Sequence, residues 1–338
     1  MYLIKENYKL KNNNTFGLDV VCKNYIEFEN IADIQKFANE NNFSSDKKII
    51  LGGGSNLLFL NDFYNGTVLH HKGTEIKTVE ENTEHKIISA SAGVVWDDFV
   101  KYTCSQNLWG AENLSYIPGT VGASAVQNIG AYGLEAKDII LAVEGVDIQT
   151  GETFRLNNED CKFAYRNSIF KTKNFENKFI DKVYFKLKKK ATPVLSYGNM
   201  AEKLSSENIT PQDVRELIIE TRKSKLPEPS ELGNAGSFFK NPIVNKQLFQ
   251  ELSAKNKQMP YFKISENEYK IPAGWLIEQA GWKGKQAGNV STYHKQALVI
   301  VNLGKATGKE IADYASMIIN SVKNKFNITL NPEVIFVK

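Results

Sequence analysis

Along the chain the apolar residues keep to two spacings, and the changes between them mark out the elements. From Ile31 to Asn41, Ile34, Phe37 and Ala38 fall on one face of a helix, and the apolar run Lys48–Leu51 behind it has the length of a buried strand. Trp96 to Asn107 repeats the helical spacing with Trp96, Phe99, Val100 and Thr103. Strand-like patterning dominates from Ile140 to Leu187, as in Val143, Gly145 and Ile148 ahead of the turn at Thr150-Gly151. Pro211 to Lys225 predicts a helix with Thr210 as N-cap and proline at the first helical position, where a missing N–H is no loss. It ends before Pro227-Glu228-Pro229-Ser230, whose prolines resist regular structure and put a domain boundary near Pro227. A short helix at Ala273–Ala280, a strand at Ala297–Leu303 and a long helix from Gly308 to Phe326 follow. The long helix carries Ile311, Ala315, Ile318 and Val322 on one face, and a strand at Glu333–Val337 comes last.

A chain of 338 residues suggests about two domains at roughly 150 residues each. With 42% hydrophobic and 24% charged residues, disorder as the main state is excluded. The balance of 42 Lys+Arg against 38 Asp+Glu gives +4, too weak a field for a dedicated nucleic-acid binder. No stretch approaches the ~18 apolar residues of a membrane span, and Met1 to Asn14 lacks the apolar core of a signal peptide. Cys22, Cys104 and Cys161 stand at unrelated spacings without a CxxC pair, which argues against a disulfide framework or a structural zinc. His70, His71 and His85 have no metal-ligand spacing to an acid or thiol, so no metal is expected. A cytosolic protein with reduced thiols is the expectation.

Four segments could carry chemistry. Gly52-Gly53-Gly54-Ser55-Asn56 follows an apolar strand and reads either as a phosphate loop or as a plain glycine turn; its spacing fits neither GxGxxG nor GxxxxGK[ST]. The stretch from Ser115 to Gly133 is rich in glycine, carries no charge, and reads as a long loop able to wrap a diphosphate or a polar heterocycle, since interior glycines make a poor core helix. Tyr165-Arg166-Asn167-Ser168 offers an arginine between aromatics and a strand, either a carboxylate fork or a surface cation. In Gly233 to Pro242, small residues bracket Ser237, and Phe238 and Phe239 behind it are expected to shelter it from water. No histidine stands near Ser237 and GxSxG is absent, so a serine hydrolase has no support.

Taken in order, these segments resemble the UDP-N-acetylenolpyruvoylglucosamine reductases, flavoenzymes of bacterial cell-wall precursor synthesis. The likeness runs from Asn14-Thr15-Phe16-Gly17 to Pro332-Glu333-Val334 and is most specific at 117–133, 165–171, 233–242 and the closing Asn331-Pro332-Glu333-Val334. Tyr197-Gly198 resembles the branch with an extra loop that carries a tyrosine over the substrate. The resemblance implies an α+β fold: a two-subdomain FAD-binding module of the vanillyl-alcohol-oxidase (PCMH) type plus a separate α+β substrate-binding domain. Residues 1–72, joined by the C-terminal strand 331–338, would form the first FAD-binding subdomain, 73–226 the second, and 227–330 the substrate-binding domain.

By the same resemblance, noncovalent FAD would touch Gly52, Gly53, Gly54, Ser55 and Asn56, then Ile117, Pro118, Gly119, Gly122, Ala123, Val126, Gln127, Gly130 and Tyr132, with Ile180 against the ring. The catalytic trio would be Arg166, Ser237 and Glu333, and the substrate would meet Tyr197, Arg222, Lys225, Asn241, Lys283 and Gln296. Ala123 stands where some relatives carry a phosphate-binding serine, so backbone N–H groups would make that contact. The implied partners are the enolpyruvyl ether of UDP-N-acetylglucosamine and NADPH, with no nucleic acid, no membrane and a monomeric chain. Residue chemistry agrees. Arg166 can fork the substrate carboxylate, and Glu333 can hold its second oxygen, either protonated or by way of Arg166. A carbanionic carbon is basic enough to take a proton from Ser237, which explains a serine with no histidine beside it. Neither glycine-rich segment holds a His or Cys to anchor flavin covalently.

Overall fold

The computed structural model describes residues 1–40, 47–197, 200–204 and 208–338, and its chain divides into two compact units. The first holds Met1–Tyr8, Cys22–Gly53 and Asn65–Arg222; the second holds Lys9–Val21, Gly54–Tyr64 and Lys223–Lys338. Both mix helices and sheets, the expected α+β class.

Two sheets build the first unit. One runs Leu3–Lys9, Val21–Phe28, Phe63–His71, Lys48–Leu51, with the last pair parallel. The other is a five-stranded antiparallel sheet in the order Thr153–Asn157, Ile140–Asp147, Lys178–Lys188, His85–Ser91, Ile76–Glu81. The helix Ile31–Glu40 buries Ile34 and Phe37 among Ile26, Phe28 and Leu69 of the first sheet and Val146 and Phe179 of the second, one core shared by both. Asn41, the last residue of the expected helix, lies outside the described residues. The helix expected over Trp96–Asn107 ends at Ser105, and Asn107 turns to φ 53°, a left-handed conformation that stops a helix. It places Trp96, Phe99, Val100 and Thr103 on the buried face, as their spacing predicts.

The uncharged stretch expected as a long loop contains a helix, Val121–Gln127. Packing outweighs its poor propensity: a Cβ on Gly122 would lie 2.7 Å from that of Ala92, so only glycine lets the helix lie this close to the end of the strand His85–Ser91.

In the second unit Gly233–Ser237, Val299–Asn302, Val290–Thr292 and Gln286–Ala287 form an antiparallel sheet, and the helix Gly308–Phe326 buries Ile311, Ala315, Ile318 and Val322 against it. Thr307 and Glu310 close a reciprocal cap at the start of that helix, Thr307 N–H donating to the Glu310 carboxylate (2.7 Å) and Glu310 N–H to Thr307 Oγ1 (3.2 Å). The last strand, expected from Glu333, begins two residues later, and Ile335–Val337 pairs in parallel with Leu57–Phe59. No helix among the described residues is long and apolar enough to cross a membrane.

Candidate active site

Two of the segments expected to hold a cofactor meet backbone to backbone in the first unit. Gly52 and Gly53 end the strand Lys48–Leu51. A Cβ on Gly53 would sit 2.9 Å from the Cα of Gly119, and one on Gly52 would sit 2.9 Å from Thr120 Oγ1 and 3.1 Å from Ala123 Cβ. The seam therefore has no room for a larger residue at either glycine, its walls being the Gly119 main chain and the small side chains of Thr120 and Ala123. An uncharged, glycine-lined seam of this kind fits a diphosphate held by N–H groups. Val121 and Gly122 do not supply theirs, because they donate to Val94 O (2.9 Å) and Ala92 O (3.0 Å). Ile117 and Val126 flank the segment against the core of the five-stranded sheet, and Ile180 is buried in that core. Pro118 is exposed, while Gln127 is half-buried.

Arg166 sits at the tip of a tight turn in which Ala164 and Asn167 exchange N–H···O bonds of 3.0 Å. Its φ of 52° is left-handed, uncommon for a residue with a Cβ. The guanidinium turns back onto the end of the glycine-rich segment, donating to Gly130 O (2.7 Å) and Asn128 O (3.3 Å). A Cβ on Gly130 would lie 3.0 Å from Arg166 Nη1, so glycine keeps that approach open. Arg166 is half-buried, with its guanidinium directed at the segment expected to hold the cofactor.

A second group in this unit gathers around Tyr116, whose φ is 60°. Asp97 accepts its N–H (2.5 Å) and is gripped by both prongs of the buried Arg215 (2.6 and 2.8 Å), while Arg222 Nε donates to Tyr116 O (3.0 Å). Burial pushes the Asp97 carboxyl up, but the bonds from Arg215 and Tyr116 outweigh it and hold the group below the ordinary carboxylate range. Arg215 and Arg222 lie two turns apart on one helix, so they share a face. Sequence reasoning missed Asp97 and Arg215, because a pair 118 residues apart leaves no local trace. The Tyr132 ring meets the Tyr197 ring edge-on at 5.5 Å; burial raises the Tyr132 hydroxyl and the Arg222 charge opposes that. Tyr132, expected on the cofactor, thus keeps company with two residues expected on the substrate. Gly198, the other half of the expected tyrosine loop signature, lies outside the described residues.

The second unit brings Ser237, Glu333 and Asn56 together. Glu333 N–H donates to the carbonyl of Phe238 (2.8 Å), the residue after Ser237, and Asn56 Nδ2 donates to Glu333 O (3.2 Å). Along the strand Gly233–Ser237, Asn234 pairs with Val301 and Ser237 with Val299, so one extra residue bulges out between them. Gly236 occupies the bulge with φ 64°, and Asn234 Oδ1 accepts its N–H (2.9 Å). Bulges of this sort re-aim the side chain that follows. Ser237 is exposed, and here the expected shelter fails: Phe238 and Phe239 are core residues, Phe238 packing on Phe16 and Phe336. Their burial anchors the loop rather than covering the hydroxyl.

Asn241 and Gln296 meet at the start of the helix Ala273–Gln279. Asn241 Oδ1 accepts Ala273 N–H (2.9 Å), and a Cβ on Gly274 would lie 3.0 Å from Gln296 Oε1. Lys283 is not drawn into this pair; it lies past the other end of the helix in an ion pair with Glu278 (2.9 Å). Lys225 is exposed at the end of the helix Pro211–Lys225. Ser55 follows Gly54 in the glycine loop.

The glycine-lined seam lies within residues 23–157, which match an FAD-binding-domain family model, and the chain is thereby a flavoprotein. Residues 228–337 match the model for the UDP-N-acetylenolpyruvoylglucosamine reductase C-terminal domain. The chain is 42% identical over 335 residues to UDP-N-acetylenolpyruvoylglucosamine reductase of Bacteroides fragilis (strain YCH46), covering 99% of this chain and 100% of the relative. The Porphyromonas gingivalis (strain W83) reductase is 43% identical, with 99% of each chain covered. A crystal structure of UDP-N-acetylenolpyruvylglucosamine reductase from Thermus caldophilus has the same fold, with a TM-score of 0.70, 21% identity and 100% of both chains covered. The chain belongs to the UDP-N-acetylenolpyruvoylglucosamine reductase family, FAD-dependent oxidoreductases with an FAD-binding module and a separate C-terminal domain.

Proposed function

We propose that this chain reduces the enolpyruvyl ether of UDP-N-acetylglucosamine to UDP-N-acetylmuramate for peptidoglycan synthesis, with NADPH as the reductant and FAD as the carrier. FAD, which the segments Gly52–Asn56 and Ile117–Tyr132 would hold, would supply the hydride chemistry at the terminal vinyl carbon, with NADPH as the source of reducing equivalents. The chain's own residues handle charge and the proton. Arg166 forks the substrate carboxylate, so that the charge developing on the neighbouring carbon spreads into a paired anion. Glu333 holds the enolate oxygen, either as the protonated acid or by way of Arg166, and Ser237 gives its hydroxyl proton to the carbanionic carbon. Addition is then complete: one hydride and one proton across the double bond. Tyr197, Arg222, Lys225, Asn241, Lys283 and Gln296 hold the nucleotide-sugar, the first three from the second FAD-binding subdomain and the other three from the substrate-binding domain of the expected division at 72 and 226.

The observation that supports this reading best is the bond from Glu333 N–H to Phe238 O. It brings the backbone at Glu333 beside the residue that follows Ser237, although the two stand far apart in sequence. Purified protein is expected to be yellow and to release free FAD on heating. Supplied with NADPH and the enolpyruvyl ether, it should give a product heavier by one hydride and one proton. A colourless protein that takes up no FAD overturns the proposal.

Lys225 tests the substrate assignment. Lys225→Ala removes a cation from the end of its helix and is expected to raise the KM for the nucleotide-sugar about ten-fold or more, the size of one lost charge-assisted bond. The rate of flavin reduction at saturating NADPH should stay as in the parent. Equal damage to both half-reactions would remove Lys225 from the substrate site.

A further inference from the structure

We infer that Asn128 is the positioning residue for Arg166, an inference that rests on the catalytic reading of Arg166 above. Asn128 ends the helix Val121–Gln127 and is fully buried. Its backbone oxygen accepts from Arg166 Nη1 (3.3 Å). Its carboxamide nitrogen donates to the carbonyl of Ala164 (2.9 Å), the residue that opens the Arg166 turn, and to Glu135 Oε2 (3.2 Å). Its carboxamide oxygen accepts Lys137 N–H (3.0 Å). A single buried residue therefore grips Arg166 at both ends, the guanidinium through its main chain and the base of the turn through its side chain.

The two backbones share a conformational problem that this arrangement resolves. Asn128 has φ 45° and Arg166 φ 52°, both left-handed. Asparagine enters that region more readily than most residues, but arginine does so only where the surroundings over-determine it. The surroundings here are the carboxamide on Ala164 O, the buried Ser168 Oγ on Val126 O (2.7 Å) and Lys171 Nζ on the Arg166 carbonyl itself (2.9 Å). Asn128 also accepts from the guanidinium through its main-chain oxygen. A carboxylate fork works only when its plane is held within about 0.5 Å and 10–20° of the productive geometry. Asn128 is thus where the turn's strain and the fork's orientation are coupled. No other side chain matches its role: aspartate tolerates the left-handed backbone and accepts Lys137 N–H but cannot donate to Ala164, and glycine keeps the backbone alone.

The experiment is a double-mutant cycle of Asn128→Gly and Arg166→Lys in the flavin-loaded enzyme, read by stopped flow in each half-reaction. Substrate affinity for the oxidised protein is measured separately by calorimetry. Asn128→Gly should retain a full complement of FAD and a normal rate of reduction by NADPH. Its reoxidation by the enolpyruvyl substrate should slow about ten-fold or more, and calorimetric affinity should weaken in step. On the Arg166→Lys background the same change should add less than about two-fold, because it acts through the guanidinium already lost. A wild-type rate in Asn128→Gly, or a loss that multiplies in full on the Arg166→Lys background, overturns the inference. Asn128→Asp is read by the same criteria should the glycine variant lose flavin, and loss of flavin from both would make Asn128 a purely structural residue. Near-normal turnover of Arg166→Lys alone would instead overturn the catalytic reading of Arg166, an outcome the cycle separates from a failure at Asn128.

Discussion

Gly54→Val is expected to lower the stability of the protein by about 3 kcal/mol or more and to yield colourless chain. Two penalties combine at this one position. Gly54 has φ 64°, where a β-branched side chain is a genuine outlier. Its Cβ would also run into the carbonyl oxygen of Asn13 and lie 2.7 Å from the carbonyl carbon, both main-chain atoms that cannot swing aside. Forcing extra bulk into such a contact costs about 1–3 kcal/mol, and the left-handed backbone adds about 1–2. A valine here therefore meets the protein's own backbone before it could meet a pyrophosphate. Gly236 is the control: its φ is also 64°, but a Cβ there has nothing within 4 Å. Gly236→Ala should cost only the conformational part, about 1 kcal/mol. Denaturant melts of the flavin-free proteins decide the matter. If apo Gly54→Val is as stable as the apo parent and differs only in failing to hold FAD, the position acts on the cofactor and the packing account is wrong.

The legible elements are those whose determinants are local. The helix Pro211–Lys225 begins where its sequence says because Thr210 and Asp213 cap it reciprocally, Asp213 N–H donating to Thr210 Oγ1 (3.2 Å) and Thr210 N–H to the Asp213 carboxylate (2.8 Å). The helix Gly308–Phe326 keeps its expected bounds for the same reason, with its cap in Thr307 and Glu310. The helix Val121–Gln127 was not legible. Its stability comes from the approach of Gly122 to Ala92, which appears only once the chain has folded. Phe238 and Phe239 misled in the opposite direction. Adjacent aromatics beside a serine look like a lid, yet both are buried, Phe238 against Phe16 and Phe336 from distant parts of the sequence and Phe239 against Phe238. Of the candidate site, the residue types were legible through the order of four motifs. The holding roles of Asn128, Asp97 and Arg215 were not, since Asn128 and Asp97 act by bonds to the main chain of another segment and Arg215 by a bond to the carboxylate of Asp97, and neither kind of partner leaves a local trace.

The proposed role of Ser237 as proton donor can be isolated from everything else by its exposure. Ser237→Ala removes one oxygen from an exposed side chain whose neighbours Asn234, Phe238 and Phe239 carry the structure of the loop, so folding and flavin content should be unchanged. A positioned general acid contributes about 10²–10⁴-fold. Reoxidation of the reduced enzyme by the enolpyruvyl substrate should therefore slow at least about 10²-fold, while flavin reduction by NADPH, which takes no proton from this hydroxyl, stays near the parent rate. Ser237→Cys should recover part of the loss, because a thiol at the bulge can also donate a proton. The bulge itself supplies a further check. Gly236→Ala leaves the hydroxyl in place but strains the residue that aims it, so its defect should lie between those of the parent and Ser237→Ala, and in the same half-reaction. Should reduced Ser237→Ala be reoxidised at the parent rate, solvent or another side chain delivers the proton and the serine is only a loop residue.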